Sequence, residues 1–247
     1  MADAGDPIST GTDPKTGLTI ISLYGKQNKP TRENLEGVNV VIYDIQDVGT
    51  RFYTYISTLH YVLESCAENG IRCLILDRPN PNGFYYNGNV ADTLHRSFVS
   101  MDPIPVVHGL TVGEYAMMAN GEGWLKNQVK CDVEVIKCLN YTHKTYYELP
   151  VKPSPNLPNQ NSVYLYPSLC FFEGTAISCG RGTQFPFQTF GSPLLPDKGF
   201  SFTPESVPGA TKPIYLGKTC FGTDLREEME KGRVTVPMIN LEFVISA

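Results

Sequence analysis

VNVVIYDIQDVGTRFYTYISTLHYVLES, the opening of the stretch Val38 to Glu68, decides how the chain folds. Its apolar run Val40–Tyr43 is rich in β-branched residues, the pattern of a strand buried on both faces. A polar loop follows, in which Asp44, Gln46, Asp47, Thr50 and Arg51 surround Gly49. The chain then enters a segment with Ile56, Leu59, Leu63 and Cys66 at helical spacing. Strand, polar loop and helix make half of a βαβ unit. Open α/β sheets bind ligands outside the carboxyl ends of their strands, so this loop is a candidate site. Asp44 and Asp47 would equally serve to cap the helix and hold the turn.

Working outward, the helix closes at Asn69-Gly70, a pair suited to a left-handed end. Ile71–Leu76 reads as a second buried strand and runs into Asp77-Arg78-Pro79-Asn80-Pro81-Asn82-Gly83, a second acid-bearing loop where a parallel repeat places one. Upstream, Leu18–Tyr24 reads as a short strand, and Thr31 suits a cap for a turn running to Glu36. Downstream, Ser97–Val107 carries Pro103 and Pro105 and reads as irregular extended chain ending at His108-Gly109. Thr111 to Glu114 has capping-box spacing ahead of a helix through Ala119. Cys131–Cys138 alternates like a half-exposed strand. Residues 1–145 are therefore expected to form an α/β domain, a Rossmann-like, mostly parallel sheet with helices on both faces. From Tyr141 to Pro158 prolines accumulate, as in a crossing loop. Residues 146–247 are expected to form a second, smaller α+β subdomain. Its expected elements are a helix opening at Pro167–Phe172, a helical Asp224–Lys231 and a strand-like Leu241–Ala247.

Bulk properties exclude several classes. With 247 residues, 41% hydrophobic, and a formal charge of −5, the chain has the size for a proper core and lacks the basic stripe of a nucleic-acid binder. No apolar run approaches the ~20 residues of a membrane helix. The seven cysteines contain no C-x-x-C pair and read as scattered core thiols. The opening lacks the apolar region of a signal peptide, and both ends read as cut, so the compartment is not set by that lack.

No G-x-G-x-x-G, Walker, nucleophile-elbow or H-E-x-x-H motif is present, and no cofactor is expected. What remains on the loops is Asp44, Gln46, Asp47, Arg51, Tyr53, Tyr55, Asp77, Arg78, Asn80, His108, Glu114, Asn156, Glu173 and Arg181. Carboxylates, amides and aromatic faces in that mixture suit a carbohydrate, with one carboxylic acid protonating a leaving oxygen. Asp44, Asp47 and Asp77 around a hard cation is an alternative reading, though histidines of the hydrolytic zinc type are not nearby; no metal is expected.

The strings DIQDVGTRFYTYISTLHYV, LDRPNPNG, PIPVVHGLTVGEYAMMANGEGWL, KPSPNLPN, YPSLCFFEGT and SCGRGT, in this order, resemble the exo-β-N-acetylmuramidases of the NamZ type, a family formerly catalogued as a bacterial domain of unknown function. The resemblance runs from about Gly17 to the end. It implies a glycosidase that releases terminal, non-reducing N-acetylmuramic acid from peptidoglycan fragments, with its cleft between a Rossmann-like domain and a second subdomain. It also implies periplasmic or secreted placement of the full-length protein and a catalytic P-E-H-G glutamate upstream of Met1. On that expectation the first βα unit and the last C-terminal portion lie outside this chain. A non-catalytic module that binds murein fragments is the alternative. Partners are expected to be muramic-acid saccharides, without nucleic acid; the oligomeric state is open.

Under that resemblance Glu173, Asp47 and Glu114 are the catalytic candidates, in that order, although Glu173 suits a helix end and Glu114 a capping box. Asp44, Gln46, Asp77, Arg78, Asn80, His108 and Asn156 are candidates for substrate contact. Arg51 and Arg181 match the lactyl carboxylate by charge. Of Tyr53 and Tyr55, at most one is expected to line the site.

Overall fold

The computed structural model describes residues 9–25, 27–230 and 238–247. The described residues fall into two compact units. One holds the chain up to Gly83 together with Asn89–Thr145; the other holds Phe84–Gly88 and Tyr146–Ala247.

In the first unit a hairpin of β1 (Gly11–Thr12) and β2 (Thr19–Ile20) precedes the sheet. The strand expected over Leu18–Tyr24 shrinks to two residues, because it has only that short partner and Leu18, Ile20 and Ile21 stay exposed. Thr31 and Asn34 exchange side-chain to backbone hydrogen bonds over the single 3-10 turn Glu33–Leu35, which gives Thr31 its expected capping role. The sheet is parallel in the order β3 (Val40–Tyr43), β4 (Arg72–Leu76), β5 (Val133–Ile136). Helix α1 (Tyr55–Asn69) ends on Gly70, whose φ of 64° is left-handed, as the Asn-Gly pair predicted. Helix α2 (Val112–Gly121) begins with the expected capping box between Thr111 and Glu114.

Register fixes what each sheet face presents. Val41, Cys73 and Val133 align in one row and Tyr43, Ile75 and Val135 in the next. Both helices pack on this face, where Ile56, Leu59, Leu63, Val112, Tyr115 and Ala116 close the core. On the other face Val40, Ile42 and Ile136 are exposed, Ile42 at 60%. The apolar run of β3 thus predicted cover on both sides, whereas the described helices α1 and α2 cover one. Arg72 bridges to Asp132 and Glu134 beside that open face.

The second unit is α+β. Helix α3 (Gln160–Leu169) is opened by Asn159, whose side chain accepts from the Ser162 N–H, and it carries Pro167 inside its last turns. The helix expected to open at Pro167 therefore starts earlier and continues as a 3-10 turn over Cys170–Gly174. An antiparallel sheet is ordered β6 (Thr189–Ser192), β8 (Cys220–Asp224), β7 (Ser201–Phe202). Its core stacks Phe172 on Phe190 at 4.9 Å and sets Tyr166 against Phe187 at 4.9 Å. Phe84 joins this unit by packing on Tyr146 and Tyr164. Helix α4 (Arg226–Glu230) falls within the helix predicted for Asp224–Lys231, whose last residue lies outside the described residues. Leu241–Ala247 is a turn of helix, α5 (Glu242–Ile245), and not a strand, because Asn240 accepts from the Glu242 N–H and starts the turn. No helix among the described residues is long and apolar enough to cross a membrane.

Candidate active site

The loop after β3 is built around Asp47. Its Oδ2 accepts the Gly49 N–H at 2.7 Å, an Asx turn that needs Gly49 at φ 78°. A Cβ at position 49 would run into the Asn80 amide, 2.6 Å from Nδ2, so only glycine fits both the angle and the space. Neighbouring loops grip the same turn. Gln46 Nε2 donates to the carbonyls of Asp47 and Pro79, each at 2.8 Å, and Asn82 Nδ2 donates to the Val48 carbonyl at 2.9 Å. The His108 N–H donates to the Gly49 carbonyl, and Asn80 Nδ2 to the Leu110 carbonyl. Asp47, Thr50, Asn80, Asn82 and His108 are all buried. The ends of β3 and β4 and the run before α2 are thus tied into one polar cluster.

His108 completes the cluster. The Leu110 N–H donates to its Nδ1 at 3.2 Å, so the ring proton sits on Nε2, which lies 3.4 Å from Asp47 Oδ2. Asp47 Oδ1, Thr50 Oγ1 and His108 Nε2 are buried and make no hydrogen bond of their own.

The other first-unit candidates are engaged differently. Asp77 is a helix cap: its carboxylate accepts Thr111 Oγ1–H at 2.8 Å and the Gly113 N–H at 2.9 Å at the positive end of α2. Asp44 and Arg78 pair with each other at 2.6 Å and are exposed. Arg51 is buried, and its Nη1 donates to the carbonyls of Asn89 and Ile104. Its guanidinium holds the loop ahead of His108, a structural use that charge alone did not reveal. Tyr53 and Tyr55 meet edge to face at 5.1 Å, and burial raises both phenol pKa values. Glu114 keeps one oxygen on the Thr111 N–H and gives the other to His143 Nε2 at 2.9 Å. His143 Nδ1–H donates to the Gly83 carbonyl, and this bond with the Glu114 carboxylate raises the imidazole pKa. Sequence reasoning did not single out His143, because it lies in a stretch whose composition marks a connector. Asp44, Asp47 and Asp77 do not converge: among the described residues no cluster of three or more His, Cys, Asp or Glu could hold a metal ion.

In the second unit Glu173 ends the 3-10 turn and accepts from Arg181 Nη2 at 2.6 Å, with both side chains a quarter to a third exposed. Arg181 also lies over the Phe187 ring at 5.0 Å. Gly180 and Gly182 flank it with φ of 75° and 83°. Glycines in those places would let the backbone come close to a ligand. Instead Thr189 fills the space at Gly180, and Pro213 and the Glu205 carbonyl fill it at Gly182, all at 2.6 Å from a built Cβ. Asn156 is buried and donates to the Gly209 carbonyl at 2.8 Å.

Fold and site together define an α/β protein with a carboxylate-bearing cluster at parallel strand ends and a carboxylate–arginine pair in its α+β unit. The chain belongs to the exo-β-N-acetylmuramidase NamZ family, whose N-terminal model matches residues 1–161 and whose C-terminal model matches residues 164–245. It is 43% identical over 217 residues to the peptidoglycan β-N-acetylmuramidase NamZ of Bacillus subtilis, an alignment covering 85% of this chain and 51% of that protein. It thus spans about half the length of that curated relative. Crystal structures of two DUF1343 family proteins of Bacteroides fragilis are similar. One is 48% identical with a TM-score of 0.86, covering 95% of this chain and 65% of the other. The second is 33% identical with a TM-score of 0.76, covering 86% and 59%.

Proposed function

We propose that this chain is part of a glycoside hydrolase that releases terminal, non-reducing N-acetylmuramic acid from peptidoglycan fragments. The observation that carries the reading is the match of both family models, which together span nearly the whole chain. The gripped Asp47 turn and the Glu173–Arg181 pair supply carboxylates and a cation of the kind glycosidic cleavage and an anionic sugar require. Asp47 is the carboxylate we assign to the sugar in the first unit, because Oδ1 has no other partner while Asp77 is occupied as a cap. Within the second unit, the carboxylate we assign to catalysis is Glu173, beside Arg181. A cell-wall substrate supports periplasmic or secreted action, and the domains we assign are residues 1–145 without Phe84–Gly88 and residues 146–247 together with Phe84–Gly88. The test is release of chromophore from an aryl β-N-acetylmuraminide, with the Bacillus subtilis relative as positive control. Turnover of that substrate but not of the matching β-N-acetylglucosaminide is expected. No turnover by this chain, where the relative is active, would remove the enzymatic reading from it.

A further inference from the structure

The second unit holds a pocket whose lining includes neither Glu173 nor Arg181. It lies between the turn Gly182–Phe185 and the run from Ser201 to Val207, and its volume is about 270 Å³. Both walls are firmly built. β7 is an edge strand of its sheet, and the chain beyond it is tied back to the turn by the Glu205 N–H, which donates to the Gly182 carbonyl at 2.8 Å. Gly182, at φ 83°, permits that approach, because a side chain there would strike the Glu205 carbonyl. The turn is stiffened from inside: the Thr183 hydroxyl donates to the Gly180 carbonyl at 2.7 Å and accepts the Phe185 N–H at 3.1 Å.

Phe185 is held from behind. The Arg226 guanidinium lies over its ring at 3.9 Å, and Asp224 grips that guanidinium twice, at 2.9 Å through Nε and 2.7 Å through Nη2. Arg226 does not line the pocket, so what the ring gives the pocket is the surface that Arg226 leaves uncovered. A half-buried phenylalanine fixed in this way is a platform for the apolar face of a ligand. Around it stand the polar side chains of Gln184, Ser201, Thr203 and Glu205. All four are exposed, and none of them has a hydrogen bond or ion pair among the described residues. They offer an amide, two hydroxyls and a carboxylate without any internal bond having to break.

The makeup of the pocket selects its ligand. Sites of roughly 300–1,000 Å³ hold drug-sized molecules, so about 270 Å³ suits a single sugar ring. No lysine, arginine or histidine lines the pocket, and its one charged group is the Glu205 carboxylate, which repels an anion. We infer that this pocket is a subsite for a neutral pyranose, the N-acetylglucosamine that alternates with muramic acid in peptidoglycan. The apolar face of the ring lies on Phe185, and Gln184, Ser201, Thr203 and Glu205 take its hydroxyl and acetamido groups. The identity of the sugar rests on the proposed function; the preference for a neutral ring over an anionic one rests on the pocket alone.

The test is NMR titration of the isotopically labelled chain with N,N′-diacetylchitobiose and, separately, with N-acetylmuramic acid. Chitobiose is expected to shift the amides of Gln184, Phe185, Ser201 and Thr203, and muramic acid to bind there at least about fivefold more weakly. Phe185→Leu keeps an apolar side chain beneath Arg226 but removes the aromatic face, and Gln184→Ala removes one exposed amide. They are expected to weaken chitobiose roughly tenfold and threefold. No shift at these residues, equal affinity for the two sugars, or unchanged affinity in either folded variant overturns the inference. Should Phe185→Leu not fold, Gln184→Ala at its exposed position and the comparison of the two sugars decide. Binding of chitobiose here without release of chromophore from the aryl muraminide keeps the neutral-sugar pocket and removes the enzymatic reading; turnover without shifts at the pocket does the reverse.

Discussion

Raising the pH from 6.5 to 9 should loosen the first unit through His60. The imidazole is buried on α1 between two carboxylates, with Nδ1 2.8 Å from Asp102 Oδ2 and Nε2 3.1 Å from Glu64 Oε1. Asp102 also pairs with Arg96 at 2.9 Å and accepts the Tyr115 hydroxyl from α2. Glu64 takes Lys29 at 3.0 Å and the Lys126 N–H at 2.7 Å, and the Tyr61 ring lies edge-on to the imidazole. Burial opposes the charged ring, but the hydrogen bonds it donates to Asp102 and Glu64 outweigh it and lift the pKa from 6.5 to about 8. A folded pKa above the unfolded one adds stability that is complete below 6.5 and is lost as pH rises through about 8. That rise is worth about 2 kcal/mol, counted once for the whole coupled group. Near the unfolding midpoint it corresponds to a Tm lower by about 5 °C at pH 9 than at pH 6.5. Thermal melts of the parent and of His60→Gln across this range are the assay. His60→Gln should be less stable by about 3 kcal/mol at pH 6.5, because two buried carboxylates lose their shared cation, and its Tm should vary less with pH. A parent Tm that is flat from pH 6.5 to 9, or a variant with the parent's slope, refutes the reasoning.

Three further outcomes follow from the same contacts. Gly49→Ala should destabilise by about 1–3 kcal/mol and reduce turnover, since it forces both a left-handed side chain and a collision with Asn80; urea unfolding beside the aryl-muraminide assay checks both. Thr111→Val removes the α2 capping box together with the bond to Asp77 and should cost about 1–2 kcal/mol, read by chemical denaturation. Glu173→Gln breaks a partly exposed ion pair, so stability should change by less than about 1 kcal/mol while kcat falls strongly if this carboxylate reacts with the sugar; unchanged kcat removes Glu173 from the chemistry.

What could be read from the sequence depended on how local each signal was. The Val40–Tyr43 run, the Thr111–Glu114 box and the Asn69-Gly70 stop each specify a conformation through neighbouring residues, and each formed where expected. Leu241–Ala247 has strand-like composition but lacks a pairing partner among the described residues, and the Asn240 side chain starts a helical turn there instead. The site was legible as a list of polar loop residues but not as roles. Asp77 and Arg51 carry the charges of a binding site, yet long-range bonds to Thr111 and to the Asn89 and Ile104 carbonyls make them structural. The Asp47–His108 contact spans 61 positions, and no spacing rule connects them. His143 reaches Glu114 by the same kind of long-range closure.

The assignment of Phe84–Gly88 to the second unit bears on how the protein can be dissected. A single cut at Thr145–Tyr146 yields no intact half: the C-terminal piece leaves behind Phe84, whose ring lies 4.6 Å from that of Tyr146 and 6.2 Å from that of Tyr164. The N-terminal piece would carry the same aromatic segment with those partners removed, an exposed patch that invites aggregation. Separate expression of the second unit therefore calls for grafting residues 84–88 onto its start, and a truncation series that ignores them would mistake a missing aromatic wedge for a missing activity.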